Sequence, residues 1–339
     1  MRITVFPHLI QDEATRPNPY IQDMVRALAA QPDTKIANPP HRNPLLSLLK
    51  KQYQGDVFIL NWFESIPDFN RGTLQSVIAI VWLLCLKARG KKIVWILHNK
   101  QPHNPRKRKL KNLLTSLVAR CADLIITHAS DGQDVIRQRY PRKLSKVHVL
   151  QHPTKDRIRL PEQPVSTAVY DLLIWGHITE YKGVTEWMEY VKAHPEEHLR
   201  TCIVGSCSSD TLRHKLESIQ SDDLTFIYHK PSFEELRQYM EQCRFVLVPY
   251  HSSSILSSGI LMDSLSFGAK VIGPDTGSFK DYAHEQRLKV YTFRTFGDIR
   301  PIIDAHGNEN ASMTDYRNFL DENSWQSFAA RLTGLIKEI

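Results

Sequence analysis

Short apolar runs that alternate with segments of helical spacing limit what this chain can become. In the first half the runs are residues 3–6, 56–61, 93–97, 123–127 and 146–150; in the second they are 171–175, 200–205, 224–228, 245–248 and 289–293. Runs this short and this apolar suit strands buried on both faces, as in a parallel sheet covered by helices on each side. Between them, residues 20–29 place Ile21, Met24, Val25 and Leu28 on one helical face. Residues 106–121 do the same with Leu110, Leu113, Leu114, Leu117, Val118 and Cys121. Further helices are expected over 73–88, 130–139, 183–193, 210–220, 232–241 and 324–339. Such alternation predicts an α/β architecture of doubly wound, Rossmann-like sheets.

The alternation pauses once. Residues 151–168 hold three prolines and little apolar periodicity, and 339 residues are enough for two cores. A first domain over 1–155, a linker over 156–168 and a second domain over 169–311 are therefore expected, with 312–339 as a closing segment. Ligands of doubly wound sheets bind at the carboxyl ends of the strands, so two such domains would face a central cleft. The most apolar stretch, Val77 to Leu86, has ten residues, short of the ~20 that span a bilayer. It reads as a buried helix. The N-terminus breaks at Pro7 and lacks the apolar core of a signal peptide. Five cysteines without a C-x-x-C pair fit reduced thiols in a cytoplasmic protein, with no metal expected. Lys and Arg number 44 against 36 Asp and Glu, a net +8 that suits a phosphorylated substrate, an anionic membrane surface or nucleic acid.

Two turns carry chemistry. After the run at 245–248, Pro249 leads into Ser252, Ser253, Ser254, Ile255, Leu256, Ser257, Ser258 and Gly259, where a helix carrying Ile260, Leu261 and Leu265 begins. Free N–H groups and the helix dipole favour an anion there, and small residues let a phosphate approach the backbone. Asp263, one turn in, is placed to accept hydrogen bonds from ribose hydroxyls. Taken alone, this is also how an ordinary Ser-capped helix looks. The second turn, WGHITEYKG over 175–183, offers Gly176 for close approach, His177 as a donor and Lys182 as fixed charge. It is not a Walker loop, and by itself it equally describes a strand-to-helix turn with a solvated lysine. Both turns follow strands of one sheet, so they can serve one pyrophosphate.

With these motifs in place, residues 171–339 resemble the nucleotide-sugar domain of the GT-B glycosyltransferases, in particular the retaining enzymes of family 4. GHITEYKG is similar to that family's Gly-Arg-(four residues)-Lys-Gly turn. PSFEELRQYMEQCRFVLVPY resembles the approach to its serine- or tyrosine-bearing loop, and SGILMDSLSFGAKVI its donor-binding helix and following strand. SWQSFAARLTGLI looks like its closing helix, which in that fold crosses back to the N-terminal domain. The resemblance implies that Lys182 and the N–H groups near Ser257, Ser258 and Gly259 hold the donor diphosphate and that Asp263 binds ribose. It departs at two positions. His177 stands where an arginine pairs with the lysine, leaving one fixed cation near neutral pH, and Ile255 stands where the family's first glutamate contacts the sugar.

In the N-terminal half, Asn18-Pro19-Tyr20 and LHNKQPH resemble features of bacterial polysaccharide-assembly transferases. His98 matches a histidine that touches the transferred sugar in the family. Asn61, Asn99 and Asp12 are acceptor-side candidates, and Glu64 can bind acceptor hydroxyls or act as a base; Glu13 is a further one. The cations Arg106, Lys107, Arg108, Lys109 and Lys111 oppose the dipole of the helix they open, which favours an anionic lipid surface as their partner. The expected activity is sugar transfer from a nucleotide diphosphate to a carbohydrate or polyprenyl-linked acceptor in cell-surface polysaccharide assembly. Retention is expected, with no cofactor and no nucleic acid. A nucleotide-sugar epimerase and a non-catalytic nucleotide-sugar binder are the alternatives.

Overall fold

The computed structural model describes residues 1–10, 19–101, 106–157, 168–251 and 255–339. The chain divides into two compact units, Met1–Pro153 with Asn323–Ile339, and Thr154–Glu322.

In the first unit, strands β1 (Arg2–Phe6), β2 (Lys35–Ile36), β3 (Val57–Asn61), β4 (Lys92–Leu97), β5 (Leu124–Thr127) and β6 (Val147–Val149) form one sheet in the order β2-β1-β3-β4-β5-β6. Every pair is parallel. Helices α1 (Tyr20–Ala29), α2 (Pro44–Leu48), α3 (Gly72–Ala88), α4 (Arg108–Cys121) and α5 (Asp131–Arg139) complete it. Ile21, Met24 and Leu28 of α1 share a core with Ile3, Val5, Ile59 and Ile96, which is why the spacing 21, 24, 28 marks that helix.

The second unit repeats the plan. Strands β7 (Tyr170–Trp175), β8 (Thr201–Val204), β9 (Leu224–Ile227), β10 (Cys243–Leu247), β11 (Val271–Pro274) and β12 (Val290–Phe293) run parallel in the order β12-β11-β10-β7-β8-β9. Its helices are α6 (Val184–Ala193), α7 (Asp210–Ser218), α8 (Phe233–Glu241), α9 (Gly259–Ser266), α10 (Gly277–Glu285), α11 (Ile299–His306) and α12 (Met313–Glu322). α8 opens on a full capping box between Ser232 and Glu235. The last helix, α13 (Trp325–Lys337), packs on α1 in the first unit through Trp325, Phe328, Leu332 and Ile336.

Three expectations change. Residues 312–322 stay with the second unit, because α12 buries Tyr316, Phe319 and Leu320 in its core. Most of the expected linker, 158–167, lies outside the described residues, while Arg157 is tied to the second unit through Ser266. Finally, α3 is not a buried helix. It hides Ala79, Trp82, Leu83 and Leu86 but leaves Leu74, Val77, Val81 and Leu84 about half exposed, at 57, 54, 56 and 49%.

Candidate functional site

In the second unit β7 and β10 are neighbours, and strand order runs outward from them in opposite directions. This reversal is where doubly wound sheets bind ligands. The two turns singled out in the sequence leave these two strands. Gly183, at φ 70°, packs so tightly on the chain after β10 that a Cβ there would lie 2.0 Å from the Pro249 carbonyl oxygen. Gly176, at φ 106°, faces Ile260 of α9. Glycine is therefore demanded at both positions, and the turns form one surface.

On that surface Lys182 is half-buried, its Nζ donates to the His177 carbonyl, and it lies 5.6 Å from the centre of the Tyr250 ring. Burial lowers its pKa to about 8. His177 Nδ1 lies 3.1 Å from Ser206 Oγ, and burial followed by the Lys182 charge lowers its pKa. The imidazole is thus neutral at pH 7, and Lys182 carries the charge. Trp175, His177, Ile178, Lys182, Tyr250 and Ile260 line a small pocket here.

Ser258 caps α9, accepting from Leu261 N at 3.3 Å. Ser257 Oγ is buried and has no partner among the described residues, while a Cβ on Gly259 would meet nothing within 4 Å. An open helix start beside an unsatisfied hydroxyl and one lysine suits a phosphate. Ser252, Ser253 and Ser254 lie outside the described residues. Asp263, expected at the ribose, instead pairs with Arg157 (Nη1 to Oδ1, 2.8 Å), whose guanidinium stacks 4.2 Å over Phe233. A ribose hydroxyl must share this carboxylate with Arg157, a partner that sequence spacing does not reveal. Ile255 is buried at 4% exposure, and neighbouring Leu256 accepts from Ser278; the apolar side chain belongs to the core there.

In the first unit the reversal lies between β1 and β3. Asn61, at the end of β3, is fully buried rather than turned to an acceptor: its Nδ2 donates to Phe6 O at 3.1 Å, and its Oδ1 lies 2.9 Å from His98 Nε2. The amide oxygen makes Nε2 the protonated nitrogen of His98 and leaves Nδ1 as an acceptor. Trp62 stacks on the imidazole at 4.0 Å. Tyr20, His128, His152 and Trp325 complete the cluster; His128 Nδ1 contacts Leu150 O at 2.7 Å and its Nε2 contacts Tyr20 OH at 2.9 Å. Burial holds His98 well below the ordinary histidine range, His128 at about 3 and His152 at about 4. His128 and His152 belong to none of the motifs that mark candidate residues in the sequence. The available signal was that His128 follows β5 directly, as His98 follows β4.

Glu64 lies in the turn after β3, 8% exposed, with Oε2 lacking a partner among the described residues. Burial raises its pKa to about 7, opposed by its own backbone N–H and by Lys111. Asn99 is half-buried beside His98. Asp12 and Glu13 lie outside the described residues. The basic run divides: Lys111 is 1% exposed and pairs with Asp68 at 2.6 Å, and Lys107 Nζ donates to Pro67 O at 2.9 Å. Lys111 is removed from any surface role, because its charge neutralises Asp68 inside the unit. Arg106, Arg108 and Lys109 are exposed.

No family model matches the chain. A Xanthomonas campestris pv. campestris protein named GDP-mannose:glycolipid 4-beta-D-mannosyltransferase is 26% identical over 273 residues, 79% of this chain and 73% of that protein. A second protein of that name matches at 26% over 262 residues, 76% and 70% of the two chains. Among solved structures, Anabaena HepE in complex with UDP-glucose superposes with a TM-score of 0.65 over the whole of both chains at 11% identity. AviGT4, a glycosyltransferase involved in avilamycin A biosynthesis, gives 0.56 at 14% identity over 99% of this chain and 96% of that one. TarM gives 0.61 at 12% over 87% of this chain, which spans 58% of the longer TarM chain. The shared fold is that of the GT-B glycosyltransferases.

Proposed function

We propose that this chain, a glycosyltransferase of the GT-B fold, moves a hexosyl group from a nucleotide diphosphate to a hydroxyl of a lipid-linked carbohydrate in cell-surface polysaccharide assembly. The observation that carries the donor half is the pair of turns at the β7/β10 reversal, where Lys182, Ser257 and the start of α9 offer charge, hydroxyl and N–H groups on one surface. Lys182 and the helix dipole offset the charge of the departing diphosphate, and no metal enters the scheme. A glycolipid acceptor is supported by the name of the Xanthomonas relatives.

Resemblance to a retaining family sets the expectation of retention. In that course the leaving phosphate oxygen takes the acceptor proton and no carboxylate base is needed. The relatives' name supports the opposite outcome, because forming a β-mannoside from an α-linked GDP-mannose inverts the anomeric carbon. Inversion needs a base, and Glu64, with a pKa of about 7, has the proton affinity for that task.

The purified chain should be titrated with a panel of UDP- and GDP-sugars, and the product anomer read by NMR. Failure of every nucleotide diphosphate sugar to bind would refute the assignment. Release of an epimerised sugar nucleotide without acceptor would favour the epimerase, and a β product from an α donor would select inversion.

A further inference from the structure

We infer that the exposed face of α3 is a docking surface for anionic lipid bilayer. The charge of the chain is concentrated around this helix. Residues 69–122 contain twelve Lys and Arg and no Asp or Glu, leaving 32 against 36 in the other 285 residues. The protein is thus basic because of this one stretch, and the remainder is slightly acidic.

Within it, Leu74, Val77, Val81 and Leu84 follow a helical period and fall inside an arc of roughly 80°, with exposed Cys85 and half-buried Ile78 beside them. The stripe is about 16 Å long at the rise of an α-helix. The opposite face is committed to the first unit, with Trp82 packed edge-on against Phe58 at 5.4 Å. No described helix is long and apolar enough to cross a membrane, so α3 would lie in the interface plane with one side in lipid.

The cations bracket the stripe. At its start are Arg71 and, brought there by the turn at Pro67, Arg108 and Lys109. Lys107 donates to the Pro67 carbonyl, against which Gly72 packs so closely that a Cβ would lie 2.1 Å away. At its end are exposed Arg89 and Lys92. Lys87, Lys91 and Lys111 are paired with Asp123, Asp56 and Asp68, and the cations Arg71, Arg89, Lys92, Arg108 and Lys109 that bracket the apolar strip complement an anionic leaflet, where apolar insertion and headgroup attraction act together. Soluble anionic partners would use the cations but leave the leucines and valines in water.

The test is co-sedimentation with phosphatidylcholine vesicles, with and without phosphatidylglycerol, using the full chain, V77N/V81N and R108Q/K109Q. Binding is expected only with phosphatidylglycerol, and each double variant should weaken it roughly tenfold or more. An environment-sensitive dye on Cys85, in a C207S background, should shift to the blue on vesicles. Nucleotide binding, measured on the same variants, reports the second unit separately and should not change. The proposal is overturned if the full chain ignores anionic vesicles, or if V77N/V81N binds them as before. It is also overturned if that substitution instead dissolves a dimer, which would assign the face to a second copy.

Discussion

Lys182→Met tests the donor site most directly, because it deletes the charge that sits 5.6 Å from the Tyr250 ring centre and keeps an unbranched apolar side chain. A hydrogen bond to a charged group contributes about 1.5–3 kcal/mol, so UDP or GDP should bind the variant roughly 10–150-fold more weakly. The pH dependence follows from burial of the lysine. Its pKa is lowered to about 8, so in the free protein it is mostly charged at neutral pH and mostly neutral one unit above that value. Only the charged form clamps a diphosphate. Affinity should accordingly be flat below the lysine pKa and fall about tenfold per pH unit above it. Bound diphosphate raises the lysine pKa, so binding in the alkaline range takes up a proton. His177 adds no slope there, since its pKa is lowered from the ordinary value and the ring is already neutral. Isothermal titration across pH, in buffers of different ionisation enthalpy, measures affinity and proton uptake together. Unchanged affinity in the variant, or a pH profile parallel to that of the unsubstituted protein, would refute the clamp.

Three other outcomes are expected. Gly183→Ala must place a Cβ against the Pro249 carbonyl at positive φ; backbone strain and overpacking together cost roughly 3 kcal/mol, seen as a lower Cm and weaker nucleotide binding. The buried histidines make the first unit acid-sensitive: their folded pKa values lie below the unfolded one, so stability is complete above the unfolded pKa and falls as pH drops towards the folded values. His128 and His152, at about 3 and about 4, should each cost about 1.4 kcal/mol per pH unit in that window, and urea unfolding of H128Q/H152Q should show a shallower acid slope. Glu64→Gln should lower transfer about 10²–10⁴-fold while sparing donor affinity if inversion holds, and the residual rate should lose the acid limb that the unsubstituted protein shows near Glu64's pKa of about 7; full activity in that variant would exclude Glu64 as the base.

Much of the architecture was legible because its signals are local. The runs at 3–6, 56–61 and 93–97 contain strands β1, β3 and β4 since a short stretch dominated by apolar, β-branched and aromatic residues with no polar face has few other solutions. Residues 20–29 are a helix over the very span their period marks. Helices α2, α10, α11 and α12 show no sustained apolar period, because α2 is only five residues long, α11 is interrupted by Pro301, and α10 and α12 are rich in polar residues.

Side-chain environments were less legible. A run of apolar residues does not say whether one face of its helix meets water, and α3, expected to be buried, exposes half of its large side chains. Neither does a row of lysines say which one turns inward; Lys111 does because Asp68, distant in sequence, receives it. The same applies to Asn61, whose position at a strand end suggested a ligand contact, whereas its amide orients His98.

The order of apolar runs and glycine-bearing turns by itself determined two parallel sheets and the strands from which the donor turns depart, since strand burial and positive-φ turns are properties of a few consecutive residues. Tertiary structure alone decided that β7 and β10 are neighbours, that Gly183 rests on Pro249, that Arg157 meets Asp263 and that three histidines share one apolar cluster. Those contacts join residues far apart in the chain, and burial there sets the charge state of Lys182, Glu64 and His98. A residue's type names its chemistry, but the low-dielectric surroundings assembled from distant segments decide which protonation state it holds.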